Sequence, residues 1–453
     1  MQEFKWKRYP EAEAWVNKKI QSMVKVNSGL SQLALQMASE TSTRLVDWVD
    51  YIAIPYSEAD EQLLEGFGFE LTRASDTYRL FEHLGAIFPG IVMSDYAHHE
   101  NEVAIKIDSI SDFLMVRGEQ KKIEGTPFGG YRRCRYCSEG GVTLTLVERR
   151  GSRAIEPTHE EDSFILRYLS ARELWKCRPR IHEDEDVLFQ HTLGIAQEIV
   201  KKVGKEVGAA IVLEIEREYW QVRNRAAQVQ KHRQDRMGLG WGNHDHHTFR
   251  SSRHHFCKLV RLFEIFGFYC RERFYAGQEA GWGAQVMENS RTGHVLFLDV
   301  DLAPEEIAIE FSHHELPVRH KLGTIGLWCG LHGDSIFQAG MHHLEAQFCF
   351  NALKESLSES NVEMMRPFSD FAYLKQAFTE GEIWKVEENR LKGLLARKEI
   401  SQKEAEVFRK EGAIGSHLEN LERNEGYKGF NQKNVSDIIQ RTDPRHAEFA
   451  TTR

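Results

Sequence analysis

The spacing of apolar residues divides the chain into segments of different type. Residues 1–40 carry apolar side chains at helical spacing, most regularly over 21–37, which predicts helix. Beyond residue 44 the pattern changes to short apolar runs. It predicts a strand at 45–54, a short helix at 58–66, and strands at 90–94, 102–107 and 141–147. This order is one unit of strand, helix and three strands.

The C-terminal half repeats the outline more clearly, after a helical stretch at 186–236 that breaks near 204–208. A first unit is predicted with a strand at 243–251, a helix at 256–266, and strands at 268–275, 281–288 and 294–300. A second unit has a strand at 340–349, a helix at 352–360, a charged helical insertion at 373–411, a strand at 413–422 and a helix at 433–440. Two such units in tandem indicate an internal duplication that closes around a shared site.

The predicted fold class is therefore α+β, built from tandem β-α-β-β-β units with added helices. We assign residues 1–150 to an N-terminal α/β module that is a degenerate copy of the unit. Residues 151–236 form a mainly helical connector, and residues 237–453 form the domain that carries the candidate chemistry.

Composition excludes several classes of protein. Of 453 residues, 41% are hydrophobic and 28% charged, which is ordinary for a globular chain. No apolar run is long enough to cross a bilayer, and the N-terminus lacks the apolar core of a secretory signal. The net charge is −9 without a basic stripe, and we interpret the charged segment 216–236 as a solvated helix rather than an RNA-binding one. We expect a cytoplasmic protein with no membrane and no nucleic-acid partner.

The cysteines indicate a reducing compartment. There are seven of them, an odd and scattered set that does not form a disulfide framework. Cys134 and Cys137 form a lone C-x-x-C, and without a second pair a chance pair of thiols is favoured over a zinc site.

Histidines mark the candidate chemistry, because 21 are present and many lie between residues 244 and 343. Side chains alternate between the two faces of a strand. One face of the strand at 243–251 then carries His244, His246, Thr248 and Arg250, while Asp245, His247 and Phe249 occupy the other. In the two later strands, His343, Glu345 and Gln347 share a face, as do His417, Glu419, Leu421 and Arg423.

This alternation predicts a metal site with one ligand from each of three strands: His246, His343 and Glu419. Two imidazoles and one carboxylate on one side of a metal suit non-haem Fe(II), with Zn, Mn and Ni left open. Alternation also turns His247 and His342 away from the metal. A single strand histidine is more often a surface or core residue. Equivalent positions in three strands of a duplicated unit favour the ligand interpretation.

A competing motif overlaps the first ligand. Residues 242–245 spell the G-N-H-D of calcineurin-like metallophosphoesterases. That chemistry needs two metals bridged by an aspartate, with further acidic motifs before this one. The preceding sequence supplies none of them, so coincidence is favoured.

The C-terminal half resembles the vicinal oxygen chelate superfamily over about 200 residues. The resemblance rests on Asp245-His246 followed by Arg250, on His342-His343-Leu344, and on Glu419 through Arg423 followed by Gly429-Phe430. Within the superfamily it is similar to the 2-oxoadipate dioxygenase/decarboxylase (hydroxyglutarate synthase) family and to 4-hydroxyphenylpyruvate dioxygenases. The resemblance implies that both histidines and the glutamate bind metal and that Arg250 holds a substrate carboxylate.

The predicted function is an Fe(II)-dependent dioxygenase that decarboxylates and hydroxylates a 2-oxo acid. Its partners are a small carboxylate substrate and O2, and homo-oligomerisation stays open. Arg250 is the predicted substrate-binding and catalytic residue, with Gln347 and Arg423 as further candidates for the pocket wall. The alternatives are a metal-dependent lyase, isomerase or extradiol-type ring-cleaving enzyme on the same fold, or a non-catalytic metal- or ligand-binding protein.

The N-terminal module is predicted to hold no metal. Asp47 and Asp50 occupy its first strand where a ligand histidine is expected, and His98 and His99 fall in a predicted loop. We expect it to be a structural module that packs against the catalytic half.

Overall fold

The computed structural model describes residues 6–94, 101–275, 281–306, 308–319, 321–431 and 442–445. Two helices come first, α1 (Pro10–Val26) and α2 (Ser28–Thr41). Asn27 separates them because its side chain accepts a hydrogen bond from the backbone N–H of Leu30 and caps α2. The helix predicted for this region is thus confirmed over its described part, with a break at Asn27.

A seven-stranded mixed sheet follows, and it contains two units rather than the one predicted. The first unit is β1 (Val49–Pro55), α3 (Glu58–Gly66), β2 (Glu70–Ala74), β3 (Arg79–Glu82) and β4 (Gly90–Ser94). The second is β5 (Asn101–Lys106), α4 (Ile110–Val116), β6 (Tyr131–Glu139) and β7 (Val142–Arg149). In each unit the first and last strands pair in parallel, and β1 pairs with β5 antiparallel. The strand order is β2-β3-β4-β1-β5-β7-β6.

The second N-terminal unit was missed because its pattern is weak. Strand β6 reads Tyr-Arg-Arg-Cys-Arg-Tyr-Cys-Ser-Glu and is mostly polar, and every residue of β2 is exposed. Strands β2 and β6 are also the two edges of the sheet, where burial does not impose an apolar alternation. The predicted loop that holds His98 and His99 lies outside the described residues.

Four helices connect the two sheets: α5 (Ser163–Lys176), α6 (Glu185–Val203), α7 (Lys205–Gln221) and α8 (Arg225–Arg236). The predicted break falls at Gly204, whose φ of 82° favours glycine. The interpretation of 216–236 as a solvated helix is wrong. Residues of α7 and α8 belong to one apolar core with the C-terminal sheet, and Glu216 is fully buried.

Glu216 is the centre of a buried ion network. Its carboxylate accepts hydrogen bonds from Nε1 of Trp175 at 2.7 Å, from Arg178 at 2.8 Å and from Arg180 at 2.9 Å. We expect Glu216→Ala to cost about 3–5 kcal/mol of unfolding free energy, because it leaves buried guanidinium groups without a partner. Glu218→Ala in the same helix removes only a part-exposed pair with Arg172 and should cost about 1 kcal/mol or less. Urea unfolding measures both, and equal losses would contradict the assigned role.

The C-terminal sheet has eight strands in the order β13-β14-β17-β12-β8-β11-β10-β9. One unit comprises β8 (His244–Arg250), α9 (Phe256–Ile265), β9 (Tyr269–Tyr275), β10 (Trp282–Asn289) and β11 (His294–Asp301). Helix α10 (Thr324–His332) leads to the other unit: β12 (His343–Gln347), α11 (Phe350–Ser358), β13 (Ser369–Phe371), β14 (Leu374–Phe378) and β17 (His417–Arg423). Strands β8 and β12 join the units antiparallel, which confirms the predicted duplication.

The insertion in the last unit is shorter than predicted. It consists of β15 (Ile383–Trp384), α12 (Glu388–Ala396), α13 (Gln402–Glu411) and β16 (Ala413–Ile414). Strand β14 falls inside the predicted helical insertion of 373–411 but belongs to the main sheet, where it pairs with β17. Its five residues are too few to show a period, and tertiary pairing decides their conformation. The predicted helix at 433–440 lies outside the described residues.

The two faces of the C-terminal sheet pack differently. Residues of α6, α7 and α9 cover one face and form the largest apolar core. The other face is covered by α10 and by Phe430, in a smaller core rich in aromatic rings. None of the helices within the described ranges has the length and apolar content needed to span a membrane.

Candidate metal centre

A β-bulge at the start of β8 decides which side chains face the centre. His246 pairs with Glu345 of β12, but the next pair is His244 with Ala346, so Asp245 is an extra residue in β8. The extra residue reverses the alternation before His246. The prediction that His244 shares a face with His246 is therefore wrong, since His244 packs against His247 on the opposite face. Asp245 lies on the side of His246 instead.

The strand register brings the predicted ligand positions together on one face. Strands β12 and β17 are parallel, with His343 opposite His417 and Glu345 opposite Glu419. Strand β8 places His246 opposite Glu345 from the other side. Three neighbouring strands thus present imidazole and carboxylate groups at adjacent positions.

Glu345 lies between the predicted ligands. Nε2 of His343 is 3.3 Å from Oε1 of Glu345 and 3.4 Å from Oε2 of Glu419, and Nε2 of His246 contacts Oε2 of Glu345. The potential ligand atoms of His343, Glu345 and Glu419 lie within 4.8 Å of one another, as do those of Asp245, His246 and Glu345. Sequence reasoning placed Glu345 on this face but not in the ligand set. The sequence signal that could have identified Glu345 as a ligand was its position two residues after His343, on the same face of the strand.

The donor set fits a divalent cation. Nε2 of His246 and Oε2 of Glu345 are buried and accept no hydrogen bond from any described residue. Burial raises the pKa of Glu419 to about 7, and burial together with Glu419 raises the pKa of Glu345 well above its usual value. Two buried carboxyl groups side by side favour protonation or a bound cation. Two imidazoles and two carboxylates are an ordinary ligand set for Fe, Mn or Zn.

Further hydrogen bonds orient each ligand. Nδ1 of His246 donates to Oδ1 of Asp245 at 2.8 Å, which leaves the Nε2 lone pair directed at the centre. Arg423 donates to both carboxylate oxygens of Asp245 at 3.1 and 3.2 Å, and Gln347 donates to Oδ2 at 3.2 Å. Burial alone would raise the pKa of Asp245, but Arg423 and His246 hold it below the usual value. Arg423 and Gln347, predicted for the pocket wall, thus support Asp245.

His343 has an unexpected partner. His342 was predicted to point away, yet its Nδ1 lies 2.8 Å from Nδ1 of His343 in hydrogen-bond contact. His342 precedes the first residue of β12, so regular alternation does not govern its direction. Its ring also packs on His417 at 5.1 Å. The pair supports the orientation of His343 in the way that Asp245 supports His246. His247, in contrast, packs with His244 on the opposite face, as predicted.

Asp245 provides a direct test of this support. We expect Asp245→Asn to weaken divalent metal binding about 10–100-fold while leaving all metal-contacting atoms in place. Competition titration against a chelator of known affinity measures the change. Asp370→Asn, an exposed aspartate of β13, is the control and should leave affinity unchanged. An unaltered affinity in Asp245→Asn would contradict the role.

Arg250 lies on the same face, two residues beyond Thr248, and is 2% exposed. Its Nε and Nη1 have no hydrogen-bond partner among the described residues, and Oδ2 of Asp299 is 4.0 Å from Nε. Burial lowers its pKa to about 10, so the group remains a cation at neutral pH. Burial raises the pKa of Asp299 to about 7, so this carboxyl neutralises the cation only in part.

Aromatic rings close the centre from water. Phe297 and Phe430 lie 5.0 and 4.9 Å from the His246 ring, and Phe378 lies 5.0 Å from the His343 ring. The guanidinium of Arg250 lies 5.4 Å from the Trp328 ring. Burial keeps the imidazoles neutral, with the pKa of His246 lowered to about 4. A dry, aromatic pocket strengthens the charge interactions within it.

The metallophosphoesterase motif does not assemble a centre of its own. His244 and Asp245 lie on opposite faces of the sheet, and the Asn243 side chain donates to the backbone carbonyl of Gln347. Two further groups could hold a cation, Asp186 with His254 and His255, and Glu264 with Cys270 and His313. Asp186 already contacts Lys258, and both groups include exposed residues.

Each C-terminal unit pairs its first and last strands in parallel, with the two first strands adjacent at the centre of the sheet. The fold is α+β, built from tandem units of the predicted β-α-β-β-β type. No protein-family model matches the chain. No curated protein matches it either.

Solved structures similar to this chain include several enzymes. Methylmalonyl-CoA epimerase from Mycobacterium tuberculosis is 10% identical, over 40% of this chain and 89% of its own, with a TM-score of 0.23. A variant of 4-hydroxymandelate synthase from Streptomyces coelicolor is 12% identical in sequence. The match covers 87% of this chain and 98% of the synthase, with a TM-score of 0.26. The Mn(II)-bound glyoxalase from Novosphingobium aromaticivorans is 10% identical in sequence. The match covers 83% of this chain and 82% of the glyoxalase, with a TM-score of 0.20. TM-scores this low carry no argument about activity.

Proposed function

We propose that this chain is a metal-dependent enzyme that acts on a small carboxylic acid, and specifically an Fe(II)-dependent dioxygenase of a 2-oxo acid. One observation carries the proposal. A buried face of one sheet presents two imidazoles and two carboxylates from three adjacent strands. The same face holds a buried guanidinium whose Nε and Nη1 have no hydrogen-bond partner among the described residues.

The ligand arrangement supports a reactive metal rather than a structural one. A metal held by His246, His343 and Glu419 would be bound from one sheet face, which would leave its other coordination positions for substrate. When bound, Fe(II) supplies electrons to O2 and open positions for a chelating substrate. Glu345, between the two histidines, either completes the ligand set or accepts a proton from the substrate.

Arg250 supports the choice of an acidic substrate. A buried cation whose donors lack partners is costly, and an entering carboxylate would satisfy Nε and Nη1 with two parallel hydrogen bonds. The aromatic rings around His246 exclude water and leave the bound acid in a fixed position. In the proposed reaction the substrate loses CO2. One atom of O2 enters the new carboxylate and the other enters a hydroxyl group, which balances the atoms and electrons.

The position of Glu345 favours a second candidate, a metal-dependent isomerase or lyase. Burial and the adjacent Glu419 raise the pKa of Glu345 well above its usual value, as a general base needs. Such an enzyme would move a proton beside a metal-bound carbonyl without consuming O2.

Oxygen consumption separates the candidates. Protein purified without oxygen and loaded with Fe(II) is mixed with a panel of 2-oxo diacids in an oxygen electrode, and CO2 is trapped in parallel. The dioxygenase proposal requires one CO2 released for each O2 consumed with at least one substrate. Substrate conversion that proceeds equally under nitrogen would instead assign the protein to the isomerase or lyase class.

A further inference from the structure

A second polar cavity lies on the opposite face of β8 from the metal centre. Its volume is about 300 Å³, and it lies, partly open to solvent, where the ends of β5 and β7 meet α7 and the start of β8. None of His246, His343, Glu345 and Glu419 lines it. The bulge at Asp245 connects the two sites, because it turns His246 to the metal centre and His244 to this cavity.

Imidazole rings form one wall of the cavity. His244 and His294 line it and stack with ring centroids 5.5 Å apart. Burial lowers the pKa of His294 to about 3, so this ring is neutral and can donate and accept one hydrogen bond. Nδ1 of His244 already contacts the backbone carbonyl of Trp241 at 2.8 Å, so Nε2 is the nitrogen that remains for a ligand. Nδ1 of His294 is buried and has no hydrogen-bond partner among the described residues.

Two cations line the cavity, and neither donates a hydrogen bond to a carboxylate within the described ranges. Within the described parts of the chain, Lys106 makes no side-chain hydrogen bond or ion pair. Arg217 is 8% exposed, and its nearest carboxylate oxygen is Oδ1 of Asp108 at 3.6 Å. The neighbouring Arg149 and Arg150 are held by hydrogen bonds to Asp50 and Glu148.

Three acidic residues of the lining have partners. Asp108 accepts a hydrogen bond from the backbone N–H of Trp241 at 2.6 Å and lies 3.6 Å from Arg217. Glu218 pairs with Arg172 at 2.6 Å, and Glu214 lies 3.4 Å from the same guanidinium. The fourth, Asp112, is exposed. Lys106 and Arg217 thus face the cavity as cations that can donate hydrogen bonds to a ligand, beside two imidazoles.

We propose that this cavity binds a small metabolite with an anionic oxygen group, a phosphate or a carboxylate, held by Lys106 and Arg217. His244 and His294 hydrogen-bond the polar remainder of the ligand. A charged cavity of this size suits a molecule of a few carbon atoms rather than a polymer. The proposal does not depend on which reaction the metal centre performs.

Calorimetric titration with inorganic phosphate and with malonate at constant ionic strength tests the proposal. The wild-type chain should bind at least one of them, and Lys106→Met should weaken that binding tenfold or more, because a charge-assisted hydrogen bond is lost. Methionine keeps the apolar stem of the lysine, and no hydrogen bond of Lys106 is lost from the fold. Arg217→Gln is the second variant and should give the same direction of change.

Controls separate this cavity from other anion sites. Lys202→Met alters a lysine that pairs with Glu198 away from the cavity and should leave binding unchanged. Arg250→Met removes the cation of the metal centre, so any anion binding that this variant abolishes belongs to that centre and not to this cavity. Binding of phosphate alone identifies a phosphate ligand, and binding of malonate alone identifies a carboxylate. No binding in the wild type, or equal binding in Lys106→Met and Arg217→Gln, would overturn the proposal.

Discussion

Glu345→Ala should lose its bound metal as completely as His246→Ala. Glu345 lies between the two predicted histidine ligands and in contact with both, so its carboxylate is part of every donor set that the centre offers. Loss of one of three or four ligands removes most of the binding free energy of a mononuclear site. We expect His246→Ala, His343→Ala, Glu345→Ala and Glu419→Ala each to retain less than about a tenth of the wild-type metal after dialysis.

Metal analysis of the dialysed proteins measures this result, and circular dichroism checks the fold. His314→Ala changes an exposed histidine outside the centre and should keep full metal content. Full metal content in Glu345→Ala, with loss in the other three variants, would leave Glu345 as a proton acceptor rather than a ligand. Full content in His246→Ala or Glu419→Ala would place the metal elsewhere.

Arg250→Met should weaken the binding of an acidic substrate about 100-fold. The reason is the burial of the site, since a carboxylate that leaves water there needs the guanidinium as its partner. Arg250→Lys should also be damaging, because an ammonium group cannot form the two parallel hydrogen bonds of the planar fork. The substrate's dissociation constant, measured on the metal-loaded protein without oxygen, reports this effect apart from chemistry.

Arg273→Met is the matched control for this prediction. Arg273 lies on β9 of the same sheet and pairs with Glu310 near the surface. Its loss should leave substrate affinity within about twofold, as expected for a part-exposed ion pair. Retention of full affinity by Arg250→Met would remove Arg250 from substrate recognition. A fall in the denaturation midpoint of Arg250→Met would show that its effect came through the fold.

The accuracy of the sequence prediction followed the strength of the local pattern. The unit from β8 to β11 was predicted closely, because its buried strands and amphipathic helix have clear periods. Strand β14 was predicted as part of a helix, and the N-terminal edge strands were missed, because these segments are short or polar. Their conformation depends on neighbours distant in sequence.

The sequence by itself indicated which strands carry the candidate ligands. Alternation along β12 and β17 is a local property, so it placed His343 and Glu419 on inward-facing positions before any pairing was known. The tandem pattern likewise indicated a duplicated unit.

Only the tertiary structure decided how those residues combine. The bulge at Asp245 depends on the pairing of β8 with β12, about a hundred residues away, and it separates His244 from His246. The same pairing places Glu345 between the two histidines. The second cavity forms where residues of both sheets and α7 meet, so its cations look like ordinary surface charges in the sequence. A local sequence pattern indicates which face of a strand a side chain occupies, whereas the residues that it contacts depend on long-range packing.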